Sequence, residues 1–522
     1  MRSFCFFRLK KLQWKKCGFL LSLMAETSLT IGYPGHMAIA RKIAFNVIFN
    51  SFMKVVSTVV LSLVSIRLIT GYLGKEGFGD YATVLAFFSL FSSIADLGIG
   101  YTTVREISRK GADEQYILGR AASLRIITSL AVFLLSPIVF LFVHFPIQVE
   151  IGIWLASGAV LFSTFSLFLN GIFQKNIAMD RVAMIEFVGK ILQVSLIYFI
   201  SKGNYGFLAI ASTLLVSLSF NAVMAYVMSR KYIRFTFIVD WKYWKMFLKE
   251  SLPLGISALI TFFYFKMDTI LLYHIQGNAA VGTYNVAFKV MENLTFFPAM
   301  LAGLILPLLS HAVFTNRKKF DAIANTTFRV FWILALPIVV GTVFLATPII
   351  AIVSGSGFAE SVPVLRFLVF SLFFIFFGNF FNMVLIVGSL QKRIMKALFF
   401  VAIFNILTNI VLIRAFSYQG AAYTSLVTEF LVVMVTATIA RRHLHYRPSF
   451  HKIGRVALSG VIMGIVLWKF SYLSFILSGL LGVAVYIGSL WIFRAVTTSE
   501  LAGLFMKDAE QEMTAMSDTV EP

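Results

Sequence analysis

The chain has 522 residues, 59% of them apolar and only 13% charged, with a mean hydropathy of +0.87. Soluble domains carry about 25% charged residues, so this composition excludes a soluble globular protein and points to a chain that faces lipid. Its 45 Lys and Arg against 23 Asp and Glu are scattered between apolar runs rather than gathered in one patch, which argues for membrane topology and against nucleic-acid binding.

The opening, MRSFCFFRLKKLQWKKCGFLLSLMAETS, holds both cysteines, Cys5 and Cys17. The membrane body is thus left without a thiol for a disulfide, a thiolate metal site or a Cys nucleophile. A basic flank, MAIARKIAFN, leads straight into the first apolar run. Met37 therefore reads as the natural start, and residues 1–43 as a cytoplasmic leader without a function of its own.

Stretches near twenty residues long, enough to cross about 30 Å of hydrocarbon as helix, then recur fourteen times. They lie near 44–70, 78–98, 121–145, 149–170, 182–201, 205–228, 252–275, 281–307, 329–353, 363–389, 394–415, 420–440, 454–472 and 474–495. Basic residues test this count, because one missed span would scramble their alternation between loops. Alternate loops hold Arg105, Arg109 and Lys110; Lys175 and Arg181; Arg230, Lys231, Arg234, Lys242, Lys245 and Lys249; Arg317, Lys318 and Lys319; Lys392, Arg393 and Lys396; then Arg441, Arg442, Arg447 and Lys452. The intervening loops hold little beyond Lys75 and Lys202. This pattern places both termini in the cytoplasm, and it leaves the far-side loops, such as YHIQGNAA and SGSGFAES, too short for a catalytic domain.

A charged side chain at mid-bilayer costs about 2.5–3.5 kcal/mol on insertion scales and wants a partner or a wet cavity. Span one carries Lys54 and Arg67, span two ends in Asp96, span seven carries Lys266 and Asp268, and span eight carries Lys289 and Glu292. Lys289 and Glu292, three apart, share a helix face; they read either as a self-neutralised pair or as lining of a pathway. Lys266 and Asp268, two apart, cannot both face one cavity. Arg125 sits near a span end and is expected to snorkel, and Glu186 and Lys190 have the i, i+4 spacing of a local ion pair. Asn405 and Asn409 are expected to join helices by hydrogen bonds. Glu429, alone in span twelve, is a proton-relay candidate.

Between spans six and seven, IVDWKYWKMFLKES sets Trp241, Trp244, Phe247 and Leu248 on one helical face and Lys242, Lys245 and Lys249 on another, as in an interfacial helix. Prolines 253, 298, 307, 337, 348 and 363 are either moving kinks or static features of membrane helices. There is no phosphate-binding loop for ATP and no His pair at metal spacing, so neither cofactor nor metal is expected.

GKEGFGDYAT at 74–83 returns as GNAAVGTYNV at 277–286, and NGIFQKN at 170–176 as VGSLQKR at 387–393. Two motifs recurring in the same order at nearly one separation mark a duplication. An all-α polytopic membrane protein follows. Residues 44–229 and 252–441 form parallel six-helix bundles, joined by an amphipathic cytoplasmic linker at 230–251 and followed by helices 13 and 14 within 442–496 and an acidic cytoplasmic tail at 497–522. Parallel repeats about an axis normal to the membrane are a transporter architecture with its site between the halves. Gly74 and Gly277 fall in the tight turns after the first span of each half, with Tyr81 and Tyr284 at the interface beyond.

The stretches YLGKEGFGDYATVLAFFSLFSSIADLGIGYTTVREISR, KMDTILLYHIQGNAAVGTYNVAFKV and VGSLQKRIMKALFFVAIFNILTNIVLI, the last followed by GAAYTSLVTEF, resemble the polysaccharide transporters, O-antigen flippases of the Wzx type. These belong to the multidrug/oligosaccharidyl-lipid/polysaccharide (MOP) exporter superfamily. The resemblance implies a V-shaped pair of bundles, alternating access, and a substrate of oligosaccharide on undecaprenyl diphosphate in the bacterial inner membrane. It implies that Lys54, Arg67, Lys266 and Lys289 meet the anionic substrate, with Asp96, Asp268, Glu292 and Glu429 as the ion-coupling carboxylates. Partners would be the lipid-linked oligosaccharide, membrane lipid, and a polysaccharide polymerase with its chain-length regulator. A drug or cation exporter of the same superfamily should show an acidic excess, whereas four cations here face Asp96, Asp268 and Glu292 on the first two spans of each half. A membrane polymerase or ligase is the remaining alternative.

Overall fold

The computed structural model of the protein describes residues 53–109, 111–313 and 316–495. The leader with Met37, the opening of span one, Lys110 and the acidic tail lie outside the described residues. The described residues are helical almost throughout, with no strand among them. In lipid each backbone N–H and C=O must be satisfied within its own segment, and these apolar runs do so as helix.

The helices are α1 (Leu61–Asp96, entered through a π-helical turn at Val56–Val60), α2 (Ile99–Ile107), α3 (Glu114–Leu135), α4 (Ile147–Lys175), α5 (Met179–Gly203), α6 (Phe207–Ser229) and α7 (Trp241–Gln276). They continue with α8 (Asn278–Leu294), α9 (Phe296–Ala312), α10 (Arg317–Ser354), α11 (Ser361–Val387), α12 (Gln391–His443), α13 (Ile453–Lys469) and α14 (Phe475–Ile492). Three helices that start on the side of the basic loops, α3, α7 and α10, carry polar N-caps, which satisfy first-turn N–H groups. Asp113 accepts from Tyr116 N, Asp240 from Tyr243 N and Asn316 from Lys319 N, each at 3.0 Å. The Tyr243 N–H, with the Arg120 guanidinium second, holds the Asp240 carboxyl below its ordinary range.

Eleven of these segments are long and apolar enough to cross a membrane, rather than fourteen separate ones. The differences have local causes. Spans one and two meet across Gly74, and spans eleven and twelve across Ser417, each residue having non-helical backbone angles that kink the chain between two directly joined helices. Span thirteen is α13, only 17 residues long. The interfacial helix is also not a separate element: α7 begins at Trp241 and runs 36 residues through Pro253 into span seven. Its Trp244 and Phe247 are buried against the N-terminal half, where Trp244 Nε1 donates to Arg120 O at 2.9 Å, while Trp241 is 75% exposed. The aromatic face expected to lie in the membrane interface is thus divided between protein and surroundings.

The repeated glycines explain how the halves meet. Gly74 has φ 68° and Gly277 φ 83°, the left-handed region that glycine enters without steric cost. Five residues after each, the two copies lie against one another. A Cβ on Gly79 would collide with Asn278 O, and one on Gly282 with Lys75 O, so the glycine at the sixth position of each copy abuts the position just after the other's first. On the basic side a second glycine pair closes α1 against α7: a Cβ on Gly98 would strike Ser251 O, and one on Gly255 would strike Leu97. Tyr81 and Tyr284 are both buried and so do not lie at the membrane interface. The largest apolar core surrounds α11, with Phe376 and Phe380 fully buried, and α13 and α14 pack on α10.

Candidate functional site

Charge gathers where the first helices of each half face each other. Glu292 on α8 is bonded by two ammonium groups: Lys289 Nζ donates to Oε2 at 2.7 Å, and Lys266 Nζ on α7 donates to Oε1. These side chains are 14% (Lys266), 20% (Lys289) and 25% (Glu292) exposed, so the triad is not sealed in a dry contact. Lys266 Nζ also lies 4.9 Å from the Phe288 ring centroid, a cation–π contact. The pair expected of Lys289 and Glu292 forms and is shared with a second helix.

The N-terminal half adds members that spacing alone hid. Glu186 and Lys190 are not joined as the local pair their spacing suggests. Lys190 Nζ donates to Gln193 Oε1 at 2.9 Å and feels the charge of Lys289 on the other half, while Glu186 feels that of Lys54. Lys54 is half-buried just before the π-helical turn, which packs against both α5 and α8. Such turns are frequent at functional sites. A cluster of Lys54, Lys190, Lys266 and Lys289 with Glu186 and Glu292 results, and Asp268 feels the charge of Lys266 as well, giving four ammonium groups against three carboxylates.

The other expected residues lie elsewhere. Arg67 is exposed, its guanidinium against Gly355, which has φ 90° and begins the loop after α10. Asp96 binds Arg125, whose Nη1 donates to Oδ1 at 2.5 Å and to Asp96 O at 3.0 Å. Arg125 does not snorkel: it is fully buried, and its Nε donates to Thr164 O at 3.1 Å. It caps the end of α1, where Leu97 and Gly98 both turn left-handed. Asp268 is buried and accepts from Thr269 N at 2.7 Å and from the Tyr284 hydroxyl. It points away from the partner of Lys266, as their two-residue spacing requires.

Glu429 is buried on α12 and feels Tyr264 of α7; no ion pair engages it among the described residues. Asn405 Nδ2 donates to Thr428 Oγ1 at 2.9 Å and Asn409 Nδ2 to Asn405 Oδ1 at 3.0 Å, tying the two parts of α12 together.

With multiple apolar helices around a charged centre, this is a multi-pass membrane protein, and known proteins resemble it in that respect. An uncharacterized membrane protein of Methanocaldococcus jannaschii, MJ1375, is 23% identical over 248 residues, 47% of this chain and 56% of its own. The chain spans about half the length of the curated relatives it matches. Among solved structures, the lipid II flippase MurJ in an inward closed conformation superposes with a TM-score of 0.63 at 16% identity, over 88% of this chain and 98% of that one. An inward-facing multidrug resistance MATE family transporter of the MOP superfamily superposes with a TM-score of 0.59 at 15% identity, over 75% and 97%. At such identities these likenesses show a shared fold. A family model described as MatE matches residues 253–411. The model described as polysaccharide biosynthesis protein matches residues 43–313, more than half of the chain, and the protein belongs to that family, built on the MOP-superfamily fold.

Proposed function

We propose that the protein is a flippase that moves an undecaprenyl-diphosphate-linked oligosaccharide, the unit of O-antigen or another surface polysaccharide, across the bacterial inner membrane by alternating access, with both termini cytoplasmic. The observation that carries this reading is the net positive cluster between the halves. A diphosphate or acidic sugar needs fixed cations where water is scarce, because attraction grows as the local dielectric falls. Lys54, Lys266 and Lys289 supply them, and Arg67 meets the substrate where it leaves on the far side. Of the carboxylates assigned to ion coupling, Asp268 and Glu429 have no cationic group bonded to them among the described residues and take that role. Asp96 and Glu292 are held by arginine and lysine and would couple only when those partners release them. A polymerase and chain-length regulator would consume the product.

The MatE match gives weight to an alternative, an exporter of cationic drugs. Four ammonium groups in the central cluster disfavour it. A polymerase or ligase is disfavoured by the short far-side loops.

Deleting the protein and following lipid-linked glycan with a membrane-impermeant label tests the reading. Intermediates should collect on the cytoplasmic leaflet while surface polysaccharide falls. Normal surface polysaccharide without such accumulation would end it.

A further inference from the structure

A second space, mostly apolar but with polar side chains in its wall, lies in the C-terminal half, apart from the charged cluster. A cavity of about 400 Å³ opens between the basic-side ends of α7, α9, α11 and α12, within the range of about 300–1,000 Å³ typical of small-molecule sites. Its polar lining is Ser257, Thr261, Asn379, Asn382 and Gln391, and no charged side chain lines it.

The hydrogen-bonding state of these groups defines what they can take. Ser257 Oγ donates to Pro253 O and Thr261 Oγ1 to Ser257 O, both at 3.0 Å, so each hydroxyl spends its proton within its own helix and keeps its oxygen as an acceptor. Asn379 Nδ2 donates to Ile375 O at 2.9 Å and Gln391 Nε2 to Ile386 O at 3.1 Å, which leaves each amide a second N–H and a carbonyl oxygen. Asn382 also lines the cavity. Its Oδ1 is buried with no protein group bonded to it, and it sits three residues from Asn379 on the same face of α11.

The second N–H groups of Asn379 and Gln391 and the acceptor oxygens of Ser257 and Thr261 remain for a ligand, so the site favours one that brings hydroxyls. A lipid tail would leave the spare donors and acceptors of these side chains unmet. An anion would be stripped of water with no cation to meet it. A sugar ring fits both demands: its hydroxyls donate and accept, and its C–H faces suit the apolar walls of Ile260, Leu306 and Met383.

We infer that this cavity is a binding subsite for an uncharged glycosyl unit. The inference rests on the flippase reading, which supplies the glycan. It deepens that reading by separating two tasks along α7. Thr261 faces the cavity and Lys266 the charged cluster, five residues on and roughly 7–8 Å along the helix axis.

The test uses the full chain with Cys5 and Cys17 replaced by Ser and a reporter Met395→Cys in the cavity wall, reconstituted in liposomes. A small aqueous thiosulfonate should modify the reporter, and diacetylchitobiose, a neutral disaccharide, should slow that modification severalfold while inorganic pyrophosphate does not. Asn382→Leu should remove the protection, and Asn379→Leu serves where the first variant does not fold. A reporter that never reacts, protection by pyrophosphate instead, or protection unchanged in both asparagine variants overturns the subsite. Translocation of lipid-linked glycan is measured in parallel on the reporter protein. Transport without sugar protection sinks the subsite alone, and sugar protection without transport sinks the flippase reading alone.

Discussion

Glu292 holds two lysines, so removing it and removing a lysine have different consequences. Lys289→Ala leaves Glu292 bonded to Lys266, and Lys54→Ala removes a cation whose charge Glu186 feels without a bond to it. A hydrogen bond to a charged group contributes about 1.5–3 kcal/mol, and 1.4 kcal/mol is about tenfold. Each variant should therefore cut glycan translocation in proteoliposomes by about tenfold or more at unchanged protein level. A parallel fall in protein level would reveal a structural pair instead. Asp96→Ala is different, because it leaves the fully buried Arg125 without its counter-ion. Losing one member of a buried pair costs about 3–5 kcal/mol, so the detergent-solubilised variant should unfold at a clearly lower temperature. The lysines of α7 and α8 were legible in the sequence because charge inside an apolar run stands out. Lys190 and Glu186 were not: i, i+4 spacing promises a local pair, whereas Lys190 bonds Gln193 on its own helix and Glu186 feels the charge of Lys54 on another element.

At the scale of elements, apolar length revealed nearly every helix, and the breaks between them were harder to place. Two glycines mark their own turns, but Ser417 has φ 52° and ψ −136° with a side chain in place. This is a conformation that glycine enters freely and other residues enter at a cost of about 1–3 kcal/mol. The chain doubles back there so tightly that a Cβ on Gly420 would meet Leu412 O. Ser417→Gly should therefore raise stability by about 1 kcal/mol, read as a higher thermal midpoint with transport unchanged, the flexibility gained by the unfolded chain offsetting part of the relief. A lower midpoint would mean that the serine side chain supports the turn. The fusion of the linker helix with span seven escaped sequence reading for a related reason. Pro253 suggests a boundary, yet a membrane helix tolerates proline when neighbours satisfy the freed carbonyl.

For the whole molecule, the duplication has a mechanical meaning: identical turns from the two halves close on one another at the side opposite the basic loops. The contact is backbone against backbone at Gly79 and Gly282, and around it Lys75 Nζ pairs with Glu360 at 2.8 Å and the Tyr273 hydroxyl donates to Asp80 at 3.0 Å. The Lys75–Glu360 pair is too exposed to hold the halves together by itself; it reports that these positions are near each other in the closed state. If alternating access moves the halves apart there, tethering those two positions must stop transport while leaving the fold intact. With Cys5 and Cys17 replaced by Ser, Lys75→Cys and Glu360→Cys joined by a short linker containing a disulfide should lose translocation in proteoliposomes and regain it on reduction. Each single cysteine carrying the same reagent controls for bulk. Full transport in the tethered protein would mean that the glycine crossing stays shut throughout the cycle, and the path for the glycan would then have to run elsewhere than between the halves.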